Sequence, residues 1–142
     1  MCPRRESRGP ARGEDKLDDV TRVAILLRDG GVCVYCAARW MDGVSMEADH
    51  LVSRKYKGSD DPTNLVCACE TCNRDKAHMH LATYLVHRAA TGQSVEGIEA
   101  RIKAALARPV DLALVAVVVV EIRAEKRPPF APLASAAARR KT

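Results

Sequence analysis

Four side chains with complementary chemistry lie in one stretch from Glu47 to Lys76: Asp49, His50, Asn64 and Asn73. An imidazole whose ordinary pKa is about 6.5 takes a proton from water at neutral pH, so His50 is the natural general base of the group. A carboxylate and an amide carbonyl are hard oxygen donors of the kind that a hydrated divalent cation, Mg²⁺ above all, prefers, which makes Asp49 and Asn73 candidate ligands. Taken singly, each residue also has an ordinary structural use, as a cap, a turn former or a strand-end histidine. Their joint occurrence is what points to catalysis.

A second constellation overlaps the first. Cys33 and Cys36 are separated by two residues, as are Cys69 and Cys72. Four thiolates at about 2.3 Å from one Zn²⁺ make a closed tetrahedral site, and a two-residue spacer lets each pair grip the ion from one tight turn. Such a site has no open position, so this zinc would be structural. A redox Cys-x-x-Cys is the competing reading, but one redox pair would not explain its twin. Cys67 shares strand parity with Leu65 and is expected to act as a small buried hydrophobe, while Cys2 lies too near the end to take part. His78 and His80 fall beyond a complete ligand set.

The elements that must hold these groups can be read from periodicity. Leu17, Val20, Ala24 and Leu27 recur at helical spacing, Asp15 or Asp18 can cap the start and Gly30-Gly31 ends the run, giving a helix over 16–29. Residues 32–36 read as a short strand leading into a turn. Alternation from Val44 to Asp49, after the turn signal Asp42-Gly43, predicts the second arm of a hairpin. Strict alternation would put Asp49 and His50 on opposite faces, so the arm must twist or end there if both are to meet one substrate.

Residues 51–63 form a polar loop, 64–69 a brief apolar stretch, and a helix starts at Glu70. Leu81, Tyr84, Leu85 and Arg88 mark another helix closed by Thr91-Gly92. Ser94 is expected to cap a further one carrying Val95, Ile98, Ile102 and Leu106. Residues 111–126 fit either a helix or a buried strand, since the Val117 to Val120 run favours strand and the Asp111 cap favours helix.

With 142 residues, 47% hydrophobic and 4% aromatic, the chain suits one core with appendages. The division expected is a basic disordered tail over 1–14, a main domain over 15–92, a helical extension over 93–127 and a disordered tail over 128–142. Lys and Arg number 23 against 18 Asp and Glu, a net charge of +5, and much of the excess sits at the ends, which suits a polyanionic partner. The first residues lack the apolar core of a secretory signal, and the apolar run Leu112 to Val120 is shorter than the roughly 20 residues that span a membrane. A cytoplasmic protein with no membrane partner is expected, and in that compartment six cysteines favour metal over disulfides.

The segments "RDGGVCVYC", "ADH", "NLV" and "CETCN", with Lys76 after them, occur in an order and spacing that resembles the HNH endonucleases over roughly residues 22–80. The resemblance implies an α+β fold: a small ββα-metal core in which an antiparallel hairpin leads into a helix, here with a four-cysteine zinc knuckle, an N-terminal helix and additional C-terminal helices. It implies metal-dependent hydrolysis of DNA phosphodiester bonds. His50 would activate water, Asp49 and Asn73 would hold the catalytic cation, and Asn64 would order the loop that aims His50. The last motif position carries Asn73 in place of His, a variant the family uses and one suited to Mg²⁺. Where the family usually has a Pro and paired glycines, Ser53 and the lone Gly58 stand in.

Arg54, Lys55, Lys57, Arg74 and Lys76 place positive charge on both sides of this site, as contacts to a phosphate backbone would require. Double-stranded DNA is the expected partner, and the resemblance also admits a larger protein partner. The rival reading is a noncatalytic zinc-ribbon module that binds nucleic acid or protein. It accounts for the cysteines and the charge but has no need of Asp49, His50 and Asn73.

Overall fold

The computed structural model describes residues 17–124, so the tails expected over 1–14 and 128–142, and Cys2 with them, lie outside the described residues. The first helix, α1 (Asp19–Arg28), begins where Asp18 accepts a hydrogen bond from the Thr21 amide at 2.8 Å. Its buried side carries Val23, Ala24, Ile25 and Leu26. At its end the adjacent Arg28 and Asp29 form a buried ion pair whose donors and acceptors are spent on the chain beyond. Arg28 donates to the carbonyls of Pro62 and Leu65, at 2.7 and 2.6 Å, and Asp29 accepts from the Cys67 amide at 2.8 Å. A buried pair survives only when its remaining hydrogen-bonding capacity is met, and here meeting it ties α1 to the second strand.

Strand β1 (Met46–His50) pairs antiparallel with β2 (Leu65–Cys69), with His50 opposite Leu65 and Met46 opposite Cys69. This differs from the expectation that residues 32–36 supply a strand before it. They form a turn, flanked by a single bridge between Val32 and Arg39. The reason is steric: Cys33 and Cys36 are an odd number of residues apart, so a strand would send their sulfurs to opposite faces, whereas a turn brings them together. The hairpin arm 44–49 therefore finds its partner across the polar loop, in residues 65–69.

All five residues of β2 are buried, as expected of a strand covered on both faces. Cys67 is among them, wholly inaccessible, as its parity with Leu65 led one to expect, and it lies outside the four-sulfur group. Helix α2 (Glu70–Lys76) follows at once, its first turn capped by the Cys69 sulfur accepting from the Cys72 amide. The hairpin and α2 complete the expected ββα core.

Helix α3 (Leu81–Ala90) sets Tyr84 in the core, edge-on to Tyr35 at 5.1 Å between ring centres. Helix α4 (Ile98–Ala107) starts later than the stripe from Val95 implies. Ser94 caps only the turn before it, and Gly97, at φ 75°, breaks the backbone ahead of the first helical turn. A side chain at Gly97 would meet the Arg101 guanidinium, which reaches back to the carbonyls of Val34 and Tyr35. Ile98 and Ile102 join the central core.

Helix α5 (Leu112–Ala124) settles the ambiguous segment as helix: Asp111 accepts from the Leu114 amide, and Val115 and Val119 bury one turn apart against Val23 and Ala24 of α1. Burying each of these valines contributes roughly 1.5–3 kcal/mol, enough to override a modest β-branched preference. Among the described residues no helix is long and apolar enough to cross a membrane.

Candidate active site and metal centre

The sulfur atoms of Cys33, Cys36, Cys69 and Cys72 all lie within 4.8 Å of one another. The turn at 33–36 is pinned to β2 by the Val34 amide on the Cys67 carbonyl at 3.0 Å, which brings the first pair over the end of the strand that carries Cys69. A zinc ion with four sulfurs at about 2.3 Å has sulfur to sulfur edges of about 3.8 Å. Cys36 and Cys69 are 3.7 Å apart, so the donor set fits the ion. Hydrogen bonds from Cys33 and Cys72 pull the Cys69 thiol down, while the hydrogen bonds with Cys33 and Cys69 push the Cys72 thiol up. The buried guanidinium of Arg88 donates to the Cys72 sulfur at 3.6 Å and to the Tyr84 hydroxyl at 3.2 Å.

At the other end of the hairpin, His50 is the last residue of β1, and its imidazole turns toward the polar loop. Its Nε2 lies 2.8 Å from Oδ1 of Asp60, which is itself gripped by the Arg54 guanidinium at 2.9 and 2.7 Å. Arg54, and then His50, hold the Asp60 carboxyl down at about 2, so it is an acceptor throughout the working range.

Asn64 closes the loop on itself. Its amide accepts from the Val52 N–H and donates to the carbonyls of Val52 and Ser59, at 2.9, 3.0 and 2.8 Å. Gly58 is required where it stands, because a Cβ there would meet the Val52 carbonyl oxygen at 1.6 Å. Ser53 caps a short helical turn over Arg54–Tyr56 and contacts His78 Nδ1 at 2.9 Å.

Asp49 faces inward. It is buried, and its carboxylate accepts from the Tyr35 hydroxyl at 2.6 Å and from the Lys76 ammonium at 3.3 Å. Burial lifts its carboxyl above the ordinary range, with Lys76 and Tyr35 pulling it partly back, and burial beside Asp49 likewise raises the Tyr35 hydroxyl. Lys76 is wholly buried and also donates to the His50 carbonyl at 2.8 Å, so it braces the strand and does not face a phosphate backbone as its position after Asn73 had suggested. A buried carboxylate demands a partner, and α2 supplies this one.

Asn73, one turn earlier on α2, donates to the carboxylate of Glu47. Glu47 was not among the expected site residues, although its alternation with Asp49 already put both on one side of the strand. Asp60 was also missed, for it sits in a loop without periodicity. Among the described residues no hydrogen bond joins His50, Asp49 and Asn73 to one another. Each is held by a different neighbour. Of the remaining cations, Lys55 and Lys57 are exposed, Arg54 is paired with Asp60, and Arg74 pairs with Glu70 along α2.

The model of the HNH endonuclease family matches residues 33–78. No curated protein and no solved structure matches the chain. The matched span opens on the first thiol ligand and closes just past α2, so it contains the four sulfurs, both strands, the loop carrying Asn64 and the helix carrying Asn73. Residues 33–78 thus match the HNH endonuclease domain, and this segment is built around a four-cysteine cluster.

Proposed function

We propose that the chain is a metal-dependent endonuclease that hydrolyses phosphodiester bonds of double-stranded DNA. The observation that carries this reading is His50, a partly exposed imidazole at the end of β1 inside an HNH domain, held at both its backbone and its ring. Phosphodiester hydrolysis needs a base to activate water and a means of stabilising charge on the phosphate and the departing oxygen. His50 is the base. Asn64 keeps the loop from drifting over it.

A divalent cation would be held between α2 and β1, where Asn73 would supply the amide oxygen. By resemblance Asp49 supplies the carboxylate. Glu47 already meets Asn73 and is the second carboxylate on that side, whereas Asp49 would have to share its charge between the cation and Lys76. When bound there, Mg²⁺, which suits such hard donors, would supply charge neutralisation at the phosphate and at the departing 3′ oxygen. Lys55 and Lys57, with Arg54 and Arg74 at the edges, supply the positive surface for the phosphate backbone.

The test is nicking of supercoiled plasmid by pure protein with and without Mg²⁺, beside His50→Ala. Cleavage should require the cation and vanish in the variant while zinc content and circular dichroism stay unchanged. Cleavage by His50→Ala at the wild-type rate would sink the assignment. Binding of plasmid without any cleavage would favour the noncatalytic zinc-ribbon reading.

A further inference from the structure

We propose that Asp60 is a positioning residue for His50: its carboxylate accepts the Nε2 proton of the imidazole, fixes that tautomer and leaves Nδ1 as the nitrogen that takes the proton from water. This rests on the nuclease reading of the same site. The contact at 2.8 Å is the ring's hydrogen bond, and among the described residues Nδ1 has no hydrogen-bond partner. A neutral imidazole carries one proton, and the nitrogen that donates to a fixed acceptor is the one that keeps it.

The acceptor is held at two points. The Arg54 guanidinium contacts both Asp60 oxygens, so the carboxylate cannot rotate away without breaking a two-point ion pair. Ser59, the residue just before, is held through its carbonyl by Asn64, and Gly58 lets the loop pass close to Val52. On the other side Lys76 anchors the His50 carbonyl. Ring and backbone are therefore clamped by separate side chains. A carboxylate behind an imidazole also stabilises the imidazolium that forms when the base accepts its proton.

The deciding experiment labels the protein with ¹⁵N-histidine and records the imidazole nitrogens at a pH where the ring is neutral, in the wild type and in Asp60→Ala. The wild type should show Nε2 protonated and Nδ1 bare, and Asp60→Ala should lose that preference while keeping its zinc and its circular dichroism. In plasmid cleavage the variant should lose about 10–100-fold in kcat, the usual cost of removing a group that orients a histidine, with KM changed less than about threefold. A wild-type ring protonated on Nδ1, a tautomer ratio unaltered in the variant, or Asp60→Ala cutting as fast as or faster than wild type would each overturn the assignment. If wild-type protein cuts nothing, the nuclease reading fails by itself, and the nitrogen spectra still decide whether Asp60 sets the tautomer.

Discussion

Lys76 and Asp49 form an ion pair at 3.3 Å in which the lysine is wholly buried and the aspartate nearly so. Removing one partner strands the other in a medium where an unpaired charge is costly. Lys76→Met should therefore destabilise the fold by roughly 3–5 kcal/mol. The double variant Lys76→Met, Asp49→Asn should recover a good part of that loss. Urea denaturation of the two variants checks this, and equal losses in both would show that the pair is not what holds the site.

The thiol cluster should bind one zinc per chain. Cys36→Ser should release it, whereas Cys67→Ala should keep full zinc content, since Cys67 is buried elsewhere and burial lifts its thiol far above the ordinary range. Arg88→Met should leave the stoichiometry alone but speed metal loss to a chelator by about 10-fold, because the guanidinium offsets charge at the Cys72 sulfur. Metal content by mass spectrometry and release followed with a chromophoric chelator give the readout.

The two candidate carboxylates, Glu47 and Asp49, can be told apart. If Glu47 holds the cation, Glu47→Gln should raise the Mg²⁺ concentration needed for half-maximal cleavage by about 10-fold or more with the fold intact, and Asp49→Asn should act mainly on stability. The reverse pattern would return the role to Asp49.

Arg54 and His50 keep the Asp60 carboxyl ionised, and the sign of the effect is definite. Its folded pKa, at about 2, lies below the ordinary 3.8, so its support for the loop is complete above that value and fades as the pH falls toward about 2. In Arg54→Ala the titration should move up toward 3.8. Carboxyl ¹³C shifts between about pH 5 and 4 should then begin to move in the variant and stay flat in the wild type.

Gly58→Ala should open the loop, since the added methyl would collide with the Val52 carbonyl. A cost of roughly 1–3 kcal/mol is expected, together with faster amide exchange over 51–64. Unchanged exchange there would mean the loop has slack that the close approach does not suggest.

How much of this was visible beforehand follows from which interactions are local. The four-cysteine cluster was legible because its spacing is itself the constraint, and α1 and α3 because an Asp cap for the first and helical periods for both are written within a few residues. Asn64 could be named from its motif, though its three hydrogen bonds could not. What escaped notice depends on contacts across long separations. The turn at 32–36 looks like a strand until both sulfurs must meet a second pair. Lys76 looks like a surface cation until α2 is laid over β1 and its ammonium falls beside Asp49. Asp60 is one of two neighbouring aspartates in a polar loop, and only the folded loop shows that Asp61 caps the turn at Pro62–Asn64 while Asp60 turns to the imidazole. The segment 112–124 could be settled only by knowing that α1 waits with Val23 and Ala24 exposed to it.

The packing of α5 on α1 joins the earliest described helix to the latest, with Arg123 of one reaching Asp19 of the other at 3.5 Å. The described chain is in that sense nearly a closed ring. A permuted gene that links residue 124 to residue 17 through a short glycine spacer, and opens the backbone in the exposed turn near Gln93, would keep the hairpin, the four-cysteine cluster and the α1 to α5 packing.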